Sequence, residues 1–334
     1  MSSTNTVHSY SLYPIKDLAM YKLGKQQEAR LWSVADLKSF AIDRDDYLHR
    51  LCPKRKSMIE KVFMYFVPVD GVVNAGHMTR TALDCRDTCE QFCMAMQIAI
   101  EAVHAETYGI SAQIVFGNTK LNELMIEAEN TAVIQEKITY SEKYIDSSYS
   151  LCEYLLAFAC TEGIFISVSF IFIFWFRSQG LLPAMIHSNS MISEDEMLHQ
   201  LMAVTRYLKY GGLPAERAAE IILEAMEIEE RYIDWVLPEA ISDLTPEDVK
   251  TYLKLVVDYL FMLIGLPKRF NVQNPFSWDN DRSLYKKPNP YERESGQYCR
   301  FSVEEVLDRI LNETGTGTNH NSEHIIDPWS VEGI

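Results

Sequence analysis

Two short stretches decide how this sequence is read: Glu101-Ala-Val-His104-Ala-Glu-Thr-Tyr108 and Glu196-Met-Leu-His199. Each sets a glutamate three residues ahead of a histidine. On a helix, positions i and i+3 share a face, so each pair offers a carboxylate and an imidazole to one point in space. A single such pair is commonplace on a solvated helix. Two upstream carboxylates turn the pairs into a pattern. Asp70 stands 31 residues before Glu101 within Val67-Pro-Val-Asp70-Gly-Val-Val73, and Glu162 stands 34 residues before Glu196 within Phe158-Ala-Cys-Thr-Glu162-Gly-Ile-Phe165. A carboxylate inside an apolar run is costly unless it meets a partner or a metal. Either separation can carry the chain out of one helix and back at the same height on the next. The result is a degenerate repeat, carboxylate then Glu-x-x-His, occurring twice. Four carboxylates and two imidazoles suit two divalent first-row metals such as iron or manganese. The competing role for Glu196 is a capping box, Ser193-Glu194-Asp195-Glu196. Tyr108 lies four residues after His104 on the same face, either as core packing or as an oxidisable group one turn from a metal pair.

The surrounding sequence is helical by periodicity. Thr79 to Tyr108 lacks Pro and Gly, and apolar residues recur at helical spacing through Leu83, Met94, Ile98 and Val103. Leu213 to Val236 repeats the pattern, with Gly211-Gly212 before it, Pro214 in the first turn and Pro238 after it. Thr245-Pro246-Glu247-Asp248 reads as an N-cap, an N1 proline and first-turn acids, opening a helix to about Ile264. Gly163 to Phe176 favours a strand by propensity, but it lies in a long apolar stretch with little turn punctuation and is assigned to helix. Its length, about 21 Å as a helix, falls short of the roughly 30 Å of a bilayer core, so it reads as buried core and not as a membrane span.

Composition excludes several classes. The chain has 334 residues, 31 Lys+Arg against 47 Asp+Glu and a net charge of −16, which argues against a nucleic-acid partner. The one basic cluster, Lys54-Arg55-Lys56, reads as a solvated helix start. Seven cysteines spread over this length point to a reducing, cytoplasmic setting and no disulfide framework. Cys85, Cys89 and Cys93 at i, i+4, i+8 are expected on a buried helix face, since the common thiolate metal sites use other spacings. No signal peptide is visible at the N-terminus. Three segments are expected: a flexible stretch 1–25, a helical domain 26–290 and a flexible tail 291–334. The tail contains a linker, Thr314 to Ser322, and ends in an acidic, aromatic peptide, Glu323 to Ile334.

These residues together resemble the small subunit of class I ribonucleotide reductase. Glu101-Ala-Val-His104-Ala-Glu-Thr-Tyr108 is similar to that family's ExxHxExY motif. Phe66-Val-Pro-Val-Asp70-Gly-Val-Val-Asn74 resembles the segment carrying its first ligand. Glu162 to Phe170, Gly180-Leu-Leu-Pro183, Ser188-Asn189, Ile192 to His199 and Asn274-Pro-Phe-Ser-Trp278 follow in family order, and the likeness runs from about Trp32 to Arg300. The resemblance implies an all-α, ferritin-like helical bundle with a di-metal carboxylate site between core helices. It implies that Asp70, Glu101 and His104 bind one iron and that Glu162, Glu196 and His199 bind the other, with manganese possible. Dioxygen would then oxidise Tyr108 to a stable tyrosyl radical. Trp32, Asp195 and His104 resemble the inner part of a radical-transfer path, and Tyr298 resembles the tail tyrosine that hands the radical on. The expected partners are a second copy in a homodimer and a large subunit that docks the C-terminal tail and reduces ribonucleotides. Trp32 departs from the pattern in its spacing to Asp70. Ile166 stands where the family often has Phe, and Ser190 where Glu is common. The alternative is a di-iron oxidase or desaturase of the same bundle type, acting directly on an apolar substrate.

Overall fold

The computed structural model describes residues 10–85, 87–276, 302–303 and 306–308. Within them the chain forms eleven α-helices: α1 Leu18–Ala29, α2 Ala41–Asp45, α3 Pro53–Asp84, α4 Thr88–Phe116, α5 Asn118–Asn130, α6 Ala132–Lys143, α7 Leu151–Cys160, α8 Ile166–Ser178, α9 Pro183–Lys209, α10 Ala215–Val236 and α11 Pro246–Leu263. No strand forms among the described residues; Ile241 and Leu244 make one isolated bridge. The all-α expectation holds.

A π-helical turn, Thr161–Phe165, joins α7 to α8 without a break, giving one helical rod from Leu151 to Ser178. The rod is apolar and long enough to cross a membrane, yet its most apolar window is wholly buried. Length, the ground for excluding a span in the sequence, therefore does not exclude one; burial in the protein core does. Helical packing also overrides the strand propensity of Ile166 to Phe176, every residue of which is buried. The rod, α3, α4 and α9 pack on one another and hold the centre of the fold, while α1 lies on α4, and α10 packs on α6, α7 and α11.

Thr79 to Tyr108 is not one helix. It is interrupted between Asp84 and Thr88, where Asp87 caps α4 by accepting from the N–H groups of Cys89 and Glu90 at 2.8 and 3.3 Å. Cys85, Cys89 and Cys93 are buried as expected, but Cys85 precedes the cap and so is not on α4. Helix α9 is capped from a distance. Asp43 accepts from the N–H groups of Ala184 and Met185 at 3.0 and 2.6 Å, and Asp46 accepts from Leu182 N–H at 2.9 Å. Burial pushes the Asp43 carboxyl up to about 6 against the pull of those two donors. Pro214 and Thr245 open α10 and α11 where the sequence placed them, and Lys54-Arg55-Lys56 lies in the first turn of α3.

The flexible segment expected over 1–25 does not extend that far. From Leu18 the chain is helical, and Met20, Tyr21 and Gln27 are buried against the body. Trp278, Tyr298 and the linker and terminal peptide of the tail lie outside the described residues.

Candidate metal centre

Each of the four central helical elements delivers part of one cluster. Asp70 comes from α3, Glu101 and His104 from α4, Glu162 from the π-helical turn, and Glu196 and His199 from α9. All six side chains are at most 3% exposed. Pro68 sits inside α3 two residues before Asp70, so one N–H is missing from the helix ladder beside the carboxylate. On the rod, the π-helical turn sets the position of Glu162; such turns often mark functional sites. Gly163 follows it because the Gln200 amide fills the space: an added Cβ would stand 1.5 Å from Gln200 Nε2. Ser193 lies in mid-helix, so Glu196 is not part of a capping box.

Two overlapping groups emerge in which the donor atoms all lie within 4.8 Å of one another: Asp70, Glu101 and His104, and Glu101, Glu162, Glu196 and His199. The two groups contain the residues of the two sets that the resemblance implies, with Glu101 common to both. Glu101 Oε1 is 2.9 Å from His199 Nδ1, Glu196 Oε2 is 3.0 Å from the same nitrogen, and Glu196 Oε1 is 3.1 Å from His104 Nδ1. That last approach lacks hydrogen-bond geometry, and His104 Nδ1 has no hydrogen-bond partner.

The donor atoms fit a pair of metal ions. Asp70 Oδ2, Glu101 Oε2, His104 Nδ1, Glu162 Oε2 and His199 Nε2 are all buried without a hydrogen-bond partner. Leaving even one such group unpaired is costly, and the unpartnered atoms of Asp70, Glu101, His104 and Glu162, four residues of the two groups, are explained by cations. Charge agrees: four carboxylates and two neutral imidazoles are balanced by two dications. Without such ions, the cluster holds protons instead. Burial, then the neighbouring Glu101 carboxylate, pushes Asp70 well above the usual carboxylate range; burial, then Glu196, does the same to Glu162. For Glu101 burial pushes upward, but the two imidazoles outweigh it and hold it low. His199 is raised to about 9: burial opposes its charge, and Glu101 and Glu196 overcome that. The acidic trio Asp17, Asp87 and Glu90 also brings its oxygens together, but it already holds a cation, Lys209 Nζ, at 2.7, 3.4 and 2.6 Å. No cysteine joins any such group among the described residues.

The sequence-derived residues around the cluster also converge. Asp195 Oδ2 accepts from Trp32 Nε1 at 2.8 Å and lies 3.2 Å from His104 Nε2, and the Trp32 and His104 rings stand 5.8 Å apart. One carboxylate oxygen thus ties the His104 imidazole to an indole despite the unusual spacing of Trp32. Tyr108 is 1% exposed, and its hydroxyl donates to Asn189 Oδ1 at 3.2 Å. Its ring stacks on Phe66 at 4.6 Å and meets Phe63 edge-on at 6.1 Å. Burial, then the charge of Asp70, pushes its phenol well above the usual range. Tyr298 lies outside the described residues.

Sequence reading gave no role to Gln97 or Asn189. The Gln97 amide donates to Glu101 Oε1 and Glu162 Oε1, both at 3.2 Å, holding two carboxylates from different elements. A helical position one turn before Glu101 was its only available signal.

Comparison with known proteins agrees with this geometry. A family model described as ribonucleotide reductase, small chain, matches residues 9–275. The chain is 33% identical over 297 residues to the ribonucleoside-diphosphate reductase small chain of Variola virus, covering 88% of this chain and 92% of that one. It is 32% identical over 302 residues to a ribonucleoside-diphosphate reductase small chain of Arabidopsis thaliana, covering 90% of each. Among solved structures, the ribonucleotide reductase Rnr4 homodimer from Saccharomyces cerevisiae matches with a TM-score of 0.73 at 23% identity, over 90% of each chain, a likeness of fold. With its four-helix carboxylate–histidine cluster in place, the chain belongs to the ribonucleotide reductase small-chain family.

Proposed function

We propose that this small chain makes and stores a radical on Tyr108 and passes it out through His104, Asp195 and Trp32. The observation that carries the reading is the gathering of four buried carboxylates and two imidazoles, several of their donor atoms unpartnered, with a buried tyrosine one helical turn from His104. Asp70, Glu101 and His104 would hold one ion, and Glu162, Glu196 and His199 the other, with Glu101 within reach of both. Two iron ions, or manganese on the same oxygen and nitrogen donors, would supply a one-electron oxidant after reaction with dioxygen.

The protein's own residues shape the rest. Tyr108 gives up one electron and its phenolic proton, so the phenoxyl left behind carries no charge into a dry pocket. Before oxidation, Asn189 Oδ1 fixes the hydroxyl and Phe66 covers the ring, excluding water. Asp70 is the carboxylate whose charge acts most strongly on the phenol, which supports a proton acceptor on the metal side. Asp195 orients His104 and accepts the indole proton of Trp32, so electron movement between the cluster and Trp32 is matched by a hydrogen-bonded path. Trp32 is buried, but the next residue, Ser33, is exposed, so the path ends near the surface.

Beyond this chain, the family supports a homodimer and a large subunit that holds the ribonucleotide. The C-terminal segment with Tyr298 is proposed to dock there and relay the radical in the cytoplasm. Membership of the small-chain family leaves the oxidase or desaturase alternative without support. The test is reconstitution with Fe(II) and dioxygen, read by electron paramagnetic resonance. The wild type should give a tyrosyl signal. Tyr108→Phe should bind the same amount of metal and give none; a full-strength signal from that variant refutes the assignment. A signal with manganese alone would change the metal and keep the role of Tyr108.

A further inference from the structure

We infer that Lys137 insulates the oxidised Tyr108 from a chain of aromatic rings that would otherwise drain it. The inference rests on the proposed role of Tyr108. From that residue the rings run in series. Phe66 stacks at 4.6 Å, Tyr65 follows at 6.2 Å, Tyr232 at 5.8 Å and Trp235 at 6.0 Å. Tyr108, Phe66, Tyr65 and Tyr232 are buried, and Trp235 is partly exposed. The series therefore connects the stored oxidant to the edge of the protein, on α10 and away from Trp32.

Lys137 of α6 stands at the middle of that series. It is fully buried, with Nζ 3.6 Å from the Tyr65 ring centroid, 3.7 Å from that of Tyr232 and 5.0 Å from that of Phe165. Nζ also donates to the Phe165 carbonyl at 3.2 Å and pairs with Glu229 at 2.8 Å. An ammonium is attracted to the negative face of a neutral ring. Removing an electron makes the ring positive, and the same contact becomes repulsive in a medium of low dielectric. Glu229 offsets part of that field, but the ammonium is the charge in contact with both faces. At the outer end Lys61 Nζ lies 5.0 Å from the Trp235 ring. Tyr65 is also ill placed to lose a proton, because its buried hydroxyl has no hydrogen-bond partner.

Drainage would move one electron from Tyr65 to the Tyr108 phenoxyl. Tyr108 would take up a proton and return to the phenol, leaving a positive ring at Tyr65, and the proton balance closes when the oxidised Trp235 releases its indole proton to solvent. Electron transfer from Tyr232 and then Trp235 would leave the oxidised site at the edge, where dioxygen adds to the deprotonated indole radical. A cation across Tyr65 and Tyr232 raises the energy of the two middle steps.

The test replaces the buried pair by apolar residues of similar size, Lys137→Met/Glu229→Leu, since removing one partner alone threatens the fold. Wild type, this variant and Lys137→Arg are loaded with Fe(II) and dioxygen. The lifetime of the Tyr108 signal is followed by electron paramagnetic resonance, and oxygen-addition products are mapped by peptide mass spectrometry. In the apolar variant the signal should decay roughly tenfold faster, with products at Trp235 and Tyr65. Adding Tyr65→Phe should restore the lifetime, and Lys137→Arg should keep it. A lifetime within about twofold of wild type and an unchanged product map overturn the inference. Should the apolar variant fail to load metal, Lys137→Arg/Glu229→Gln decides: a guanidinium keeps its charge without the counter-charge and should lengthen the lifetime, and a shorter one overturns the inference. Absence of a Tyr108 signal in the wild type would instead refute the proposed function, and this inference with it.

Discussion

Replacing Lys137 and Glu229 together should change stability in a way that depends on pH, and the dependence can be worked out from the pair itself. Burial lowers Lys137 from 10.5 to about 8, and burial raises Glu229 from 4.5 to about 7, even with the partner 2.8 Å away. Both shifts mean that the folded protein resists the charged form. As pH rises from 4.5 to 7, the unfolded chain loses the Glu229 proton first, so wild-type stability falls by about 3 kcal/mol. As pH rises from 8 to 10.5, the unfolded chain keeps the Lys137 proton longer, and about 3 kcal/mol returns. Cation–π contacts with Tyr65 and Tyr232 oppose the loss, by ~1–2 kcal/mol each when desolvated, at any pH where the ammonium persists. The assay is urea denaturation of metal-free wild type and Lys137→Met/Glu229→Leu at pH 5, 7.5 and 9. Relative to wild type, the double variant should gain about 2 kcal/mol between pH 5 and 7.5 and give back about 1 kcal/mol by pH 9. At pH 7.5, Lys137→Met alone should lose ~3–5 kcal/mol, because it leaves Glu229 buried without its partner and forces it to take up a proton or stay unpaired. A stability difference that stays flat with pH, or a double variant as damaged as the single one, would refute this account.

Two further perturbations probe the centre. Asp195→Asn weakens the joint hold on Trp32 and His104; it should cost ~1.5–3 kcal/mol in denaturation and abolish nucleotide reduction with the large subunit while leaving the Tyr108 signal. Full turnover in that variant would remove Asp195 from the transfer path. Gly163→Ala drives a methyl group into the Gln200 amide, which donates to the Ala159 carbonyl at 3.2 Å. It should cost ~1–3 kcal/mol and lower metal content after reconstitution; unchanged stability with full loading would show that Gln200 moves freely.

The carboxylate–histidine cluster was legible because its chemistry is periodic. Glu101 and His104, like Glu196 and His199, sit at i and i+3, and Asp70 and Glu162 are charges in apolar runs that demand compensation. The helical reading of Gly163 to Phe176 also held, because a long apolar stretch with little turn punctuation reflects a helix buried on all sides. The groups that serve the cluster from across helix interfaces were harder to find. Gln97 and Asn189 gain their roles from partners 65 and 81 residues away, and no spacing announces them. Lys137 is similar: a lysine in an amphipathic stretch reads as solvated, and only the packing of α3, α6 and α10 reveals that it is enclosed. The break before α4 did have a signal, Asp87 three residues ahead of Glu90, but unbroken apolar spacing masked it. The π-helical turn had none beyond the Glu162-Gly163 pair.

That turn reaches past the carboxylate it carries. Each residue of an α-helix advances about 100° around the axis. One extra residue in a single turn therefore puts α7 and α8 out of phase, although they share an axis and read as one apolar stretch. The phase slip lets a single segment answer to two sets of neighbours: α7 packs against α6, α9 and α10, whereas α8 packs against α3, α9 and α11. Shortening the rod by one residue at Thr161–Phe165 would thus rotate every side chain of one half relative to its surroundings, a change no point substitution can imitate.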